Sequence, residues 1–501
     1  MSNIRLRYSG LMAYGTRIIS IFTGLMFSII VTRRLTEEDF GIWQIIGLII
    51  SYVLIPSSIS NYWVTRYIAR GEKVARTGMI MNLIIAPLAT IAYILVSIFI
   101  TQRIQSPLIY FLVAGIQIVL YYTLSTLESI SRGIKPEVQS YGFFLFEVTK
   151  VVLAIWLILE LKMGLIGAIL AVSFAQIAQI FLIAIMIKDK ITDKFNKELV
   201  KDWLKIFWLP IFSTLSGVLY NLDGLIVPSI IGSPLPLTYI KIPNIISNVI
   251  TYSSFLATAL YPKLLGGGGK KDIEASIRLV LMFAIPMSVG AFVLARPLLY
   301  LLNPSYANLI WILRVLIPVA LISSLSGIFS TILVGTEKVE LNSNLSFKDF
   351  MKSKLFIVPS ITYFSSLFYI TALIILLYFS IIWKIDYMYL TFFWAILLLL
   401  VTLFSTIYVY LLAKRVMEFN LQLISLLKYL FCSSIMAIFL QLLKYNIEYI
   451  PTFSTHIISI LALAGFGAFI YTSTLLIIDK EFRNIVLFVF RNIKNIFLRL
   501  K

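Results

Sequence analysis

Six ionisable residues stand inside, or at the mouth of, stretches that are otherwise apolar: Arg17, Glu147, Lys150, Asp223, Lys241 and Arg314. A charge carried into hydrocarbon is costly unless it faces a cavity, water or a partner, so these positions are the candidates for chemistry. That chemistry is electrostatic. Arginine presents a planar fork of donors that fits phosphate oxygens, and lysine presents a point charge. Glu147 precedes Lys150 by three residues, on the same face of a helix, where it can neutralise the ammonium. Local pairing and a role in a binding cavity are both open to these two, and they are compatible. Arg17 and Arg314 lie near enough to the ends of their segments for snorkelling to the interface to compete with a cavity role. Asp223 has no long stem with which to snorkel and no second acid beside it. It is expected either to exchange a coupling ion or to balance a cavity cation.

Other chemistries are excluded by what the chain lacks. It has one cysteine, Cys432, and one histidine, His456, so no intramolecular disulfide forms and a Cys/His metal cluster is not expected. Both residues are expected to pack rather than react, and no metal or cofactor is expected. The sequence contains no D-x-D motif, and KLLGGGGKKD (263–272) lacks the G-x4-G-K-[ST] pattern, so it reads as a flexible linker. No loop exceeds about 20 residues, which leaves little room for a catalytic domain. A membrane enzyme acting on lipid-linked glycans is therefore a weaker reading, and no enzymatic activity is expected.

The elements that must position these charges are membrane helices. Of 501 residues, 60% are hydrophobic and 13% charged, against roughly 25% charged in soluble domains. Spans need about 20 mostly apolar residues, and this rule predicts about fourteen. They include 10–31, 41–62, 164–187, 207–231, 239–260 and 277–302. An even count puts both termini on one side. Basic residues concentrate on the loops of that side, as in KDKITDKFNKELVKDWLK (188–205). The opposite loops hold only Arg33, Arg34, Arg103, Lys162, Lys241, Arg296, Lys384 and Lys444. The positive-inside rule then predicts a multi-pass cell-membrane protein with both termini cytoplasmic. Basic loops facing anionic lipid account for the net charge of +19, and no nucleic-acid partner is implied.

The turn VTRRLTEEDFGIWQI (31–45) is predicted to be a short outer hairpin between the first two spans. A related pattern follows in NLDGLIVPSIIGSPLPLTYI (221–240), with Gly24-Leu25 answered by Gly224-Leu225 and Trp43 by Tyr239. The repeat predicts two six-helix lobes and two further helices: an N-lobe over 1–190, a C-lobe with its amphipathic connector over 191–415, and a pair with a basic tail over 416–501.

RRLTEEDFGIWQI and NLDGLIVPSIIGSPLPLTYI resemble the turn signatures of the polysaccharide-exporter family, which includes O-antigen and lipid-linked oligosaccharide flippases of the multidrug/oligosaccharidyl-lipid/polysaccharide (MOP) superfamily. The resemblance extends over the whole chain through the fourteen helices and their 6+6+2 division. The chain departs from the family pattern at Thr36 and at Pro234 and Pro236. The resemblance implies an all-α, MATE-like fold and a flippase that moves a polyprenyl-phosphate or -diphosphate oligosaccharide by alternating access through an inter-lobe cavity. Arg17, Lys150, Lys241 and Arg314 are then the expected head-group cations, with Asp223 and Glu147 as coupling or charge partners. The expected partners are the glycan lipid, membrane lipids and a coupling ion, proton or sodium, acting on a monomer. A MATE-type multidrug antiporter is the alternative. Export of organic cations calls for an acid-dominated cavity, which the cation bias disfavours.

Overall fold

The computed structural model describes residues 6–258, 260–265, 267–337, 351, 353–444 and 453–484, and among them there are helices and turns but no strand. The helices are α1 (Leu6–Arg34), α2 (Glu37–Val53), α3 (Ser57–Ala69), α4 (Ala75–Ile104), α5 (Leu108–Ile134), α6 (Pro136–Ala154), α7 (Gly164–Ile187), α8 (Lys197–Lys205), α9 (Trp208–Val218) and α10 (Asp223–Ile231). They continue with α11 (Leu235–Thr251), α12 (Leu260–Leu265), α13 (Lys270–Val293), α14 (Ala295–Leu302), α15 (Ile310–Gly335), α16 (Lys354–Ile382), α17 (Tyr387–Val416), α18 (Leu423–Lys444) and α19 (Phe453–Ile478). Eleven helical segments of the described residues are long and apolar enough to cross a membrane, or twelve when the bent pair α2–α3 counts as one. The all-α polytopic expectation holds, but about fourteen spans are expected and eleven or twelve meet this test among the described residues.

Several spans are not straight rods, and the reason is backbone chemistry. The span expected at 41–62 bends by 59° between α2 and α3, where Pro56 supplies no N–H. The span expected at 207–231 breaks into α9, a 3-10 turn over Leu219–Leu222, and α10. α11 passes into a 3-10 turn at Tyr252, and the segment expected at 277–302 divides into α13 and α14. Hydrocarbon offers no substitute partner for a freed carbonyl, so the protein must supply one. Tyrosines do this. Tyr122 Oη donates to Val53 O (2.7 Å) at the α2 end, and Tyr52 Oη donates to Val218 O (2.8 Å) at the α9 end. Tyr471 Oη donates to Met282 O (2.6 Å), the carbonyl left without its helical donor because Pro286 stands four residues on.

The charged turn at 31–45 is mostly helix. Thr36 caps α2 by accepting from Asp39 N (3.0 Å), so Glu37, Glu38 and Asp39 occupy its first turn. There the carboxylates complement the positive end of the helix dipole. The hairpin therefore shortens to Leu35 and Thr36, because capping extends the helix through residues whose polarity reads as loop.

Packing divides the chain into two compact units, Met1–Thr238 with Thr362–Leu390, and Tyr239–Ile361 with Thr391–Lys501. In the first, α1 packs on α6, α6 on α7, and α5 on α3, α4 and α7. The connector docks onto this unit: Trp203 of α8 is fully buried beside Tyr67, and the Asp193 carboxylate accepts from Arg76 N (3.2 and 3.1 Å) at the start of α4. In the second, α13 packs on α15 and α18, and α18 on α19. Its glycine turn is braced, with Lys263 paired to Asp272 (2.5 Å) and Gly269 N donating to Asp272 Oδ2 (3.0 Å). Large apolar residues such as Phe364, Trp383 and Ile477 are exposed, as lipid-facing positions are.

Candidate functional site

Lys150 and Glu147 are joined. On α6, Lys150 Nζ lies 2.8 Å from Glu147 Oε1, and both side chains are almost wholly buried. The second carboxylate oxygen, Oε2, accepts from Thr23 Oγ1 of α1 (2.5 Å). The ammonium is also flanked by aromatic faces, 4.9 Å from the Phe146 ring and 5.2 Å from the Phe27 ring. Pairing, a hydroxyl donor and two π faces are the compensation that a buried ion pair requires. Sequence spacing anticipates the pair. It does not anticipate Thr23 or Phe27, which come from another helix.

Asp223 opens α10 at the break in its span and is buried. Its Oδ2 accepts from Tyr369 Oη of α16 (2.6 Å), and its Oδ1 accepts from Gly224 N (2.6 Å). Tyr369 is itself fully buried and stacks with Tyr220, with ring centroids 5.5 Å apart. The carboxylate thus sits at a discontinuous helix, beside a phenol hydroxyl and a main-chain donor. Such broken helices recur where membrane transporters hold ions or charged groups.

Arg314 lies on α15, with its guanidinium carbon 4.8 Å from the Phe292 ring and 4.9 Å from the Trp311 ring. Its Nε is buried and has no hydrogen-bond partner among the described residues. Lys241 lies on α11, half-buried, and makes no ion pair among the described residues. Arg17 belongs to α1, but its side chain lies outside the described residues. Cys432 is buried, and His456 Nε2 contacts Pro297 O (3.2 Å) inside the packing, so both fill structural positions.

Hydropathy misses a polar thread through the first unit. Asn82 Nδ2 donates to Asn61 Oδ1 (3.1 Å) and to Thr126 Oγ1 (2.6 Å), joining α4 to α3 and α5. On α5 and α7, Gln179 Nε2 donates to Glu128 Oε1 (3.1 Å), and Gln117 Nε2 donates to Ser173 Oγ (3.1 Å). The only sequence signal is the recurrence of Asn, Gln and Thr within spans. Among the described residues, no group of three or more His, Cys, Asp or Glu could hold a metal ion.

No family model matches the sequence, and no curated protein matches it. Solved structures do match. A lipid II flippase, MurJ, in its inward closed conformation superposes with a TM-score of 0.64 at 15% identity, covering 95% of this chain and all of its own. A multidrug-resistance MATE transporter of the MOP superfamily, in an inward-facing conformation, gives 0.56 at 16% identity over 79% of this chain and 94% of its own. A point mutant of the Vibrio cholerae MATE transporter VcmN gives 0.55 at 14% identity over 82% of this chain and 97% of its own. The chain therefore shares the all-α fold of these MurJ and MATE structures, as the resemblance of its turn motifs implies, and it is a multi-pass membrane protein.

Proposed function

We propose that the protein is a flippase that moves a lipid-linked, phosphate-bearing oligosaccharide, of the polyprenyl-phosphate or -diphosphate class, across the cell membrane by alternating access. The observation that carries the reading is Arg314. A guanidinium lying 4.8 and 4.9 Å from two aromatic rings on a long apolar helix, with a buried donor that no described residue satisfies, is suited to an anionic ligand. Lys150 adds a second cation whose charge is offset by Glu147 until a stronger anion competes for it. Lys241 and Arg17 complete the proposed set, and the likeness to a lipid II flippase across 95% of the chain supports it. In this reading the protein is a transporter and not an enzyme, with cytoplasmic termini and a 6+6+2 organisation.

The second reading is a MATE-type antiporter, and the buried acids favour it. Asp223 beside Tyr369, and Glu147 beside Thr23, are groups that could exchange a proton or sodium ion. Ligand binding separates the two. Purified protein in nanodiscs should bind a short-chain polyprenyl diphosphate, with Arg314→Ala weakening it by about tenfold or more. Binding of organic cations in preference to the diphosphate, unaltered by Arg314→Ala, would favour the antiporter.

A further inference from the structure

A cleft of ≈ 820 Å³ opens in the second unit, where the start of α13, the end of α17, the start of α18 and the end of α19 come together. Its volume lies within the range of small-molecule sites, about 300–1,000 Å³. Four cations line it: Arg278, Lys414, Lys428 and Lys480. Two are engaged within the protein. Arg278 pairs with Glu481 and donates to Gln422 Oε1 (3.4 Å), and Lys428 lies 3.5 Å from Asp479 Oδ2. The other two are not. Lys414 and Lys480 are exposed and make no ion pair among the described residues, although Lys414 lies 5.9 Å from the Tyr410 ring. The site therefore offers two uncompensated positive charges on a floor that is already ordered.

The floor is built rather than incidental. Glu274 of α13 accepts from Asn420 N (2.9 Å) and from Gln422 Nε2 (3.3 Å), which fixes the connection between α17 and α18. Asp479 accepts from Glu481 N and Phe482 N (2.9 Å each), which fixes the chain leaving α19. The rim differs in kind. Leu423 and Ile424 also line the cleft and are 67% and 75% exposed. A pocket for a soluble phosphate has no use for large exposed apolar residues at its lip. A lipid does, because its acyl chains continue from the head group along the first turn of α18.

We infer that this cleft is a binding site for an anionic phospholipid, whose phosphate meets Lys414 and Lys480 and whose chains lie against Leu423 and Ile424. The bound lipid bridges the ends of α17 and α19 and fastens the last two helices to α13. The site is lined by the second unit alone and uses none of the residues assigned to transport, so it stands independently of the proposed substrate.

Native mass spectrometry of the full-length protein tests this, with phosphatidylglycerol or phosphatidylcholine added to lipid-depleted samples. The parent should retain phosphatidylglycerol in preference to phosphatidylcholine. Lys414→Ala with Lys480→Ala should weaken that retention about thirtyfold, the effect of removing two interfacial lysine charges. Lys414→Arg with Lys480→Arg should preserve it, and Leu423→Ser with Ile424→Ser should weaken it severalfold. Equal retention of phosphatidylglycerol by parent and alanine variant would overturn the assignment. So would its displacement by millimolar inorganic phosphate or glycerol 3-phosphate, which would mark a site for soluble anions.

Discussion

Replacing Glu147 by Gln removes the charge that holds Lys150 in the interior while leaving the side-chain shape almost unchanged. At the observed separation of 2.8 Å, the attraction within the pair is about 6 kcal/mol at an effective dielectric constant of about 20. The desolvation of both groups, each nearly enclosed, offsets much of that. What the variant exposes is the lone ammonium, and breaking a buried pair in this way costs about 3–5 kcal/mol. Lys150→Met leaves the carboxylate with only Thr23 and should cost a similar amount. The double variant Glu147→Gln/Lys150→Met has no buried charge and should recover most of the loss. Reversible unfolding in mixed micelles, followed by far-UV circular dichroism, gives the four corners of the cycle. Two single losses below about 1 kcal/mol, or a coupling below about 0.5 kcal/mol, would refute the claim that the pair is buried and mutually dependent. Exchanging the residues, with Glu147→Lys and Lys150→Glu together, separates packing from function. If Lys150 serves the substrate, this variant should regain stability and remain inactive.

Three other outcomes are expected. Tyr369→Phe removes one short hydrogen bond to Asp223 and should lower stability by about 1.5–3 kcal/mol, with Asp223→Asn at least as damaging to gradient-dependent transport as to downhill exchange, measured in vesicles with and without an imposed pH or sodium gradient. Gly41→Ala should destabilise by about 1–3 kcal/mol in the same unfolding assay, because its new methyl would lie 2.7 Å from Pro234 Cβ, Pro234 O and Thr238 Oγ1. Glu38→Cys in a Cys432→Ser background should react with an impermeant maleimide from the outside of intact cells, and labelling only after cytoplasmic access would reverse the topology.

The sequence makes legible what is local. Apolar length alone places α7, expected at 164–187 and found at Gly164–Ile187. Spacing of three residues places Glu147 against Lys150. Contacts across the chain leave no such trace. Thr23 meets Glu147 from 124 residues away, and Tyr369 meets Asp223 from 146. Breaks within spans are also hidden, because a window long enough to mark 207–231 as one apolar span averages over Leu219–Leu222, where the backbone changes its hydrogen bonding. The prolines mark where carbonyls are freed, but only the fold shows that Tyr471 answers Pro286 through Met282 O. The all-α, polytopic character survives this loss of detail, since it depends on composition over some twenty residues rather than on single contacts.

The central claim is transport of an anionic glycan lipid, and its most direct test is translocation in proteoliposomes. A fluorescent polyprenyl-diphosphate oligosaccharide placed in both leaflets should become fully accessible to an external quencher only when the protein is present. Arg314→Ala should abolish the effect while inserting normally. If the protein leaves this lipid in place and instead drives uptake of an organic cation down a proton or sodium gradient, the flippase account is contradicted.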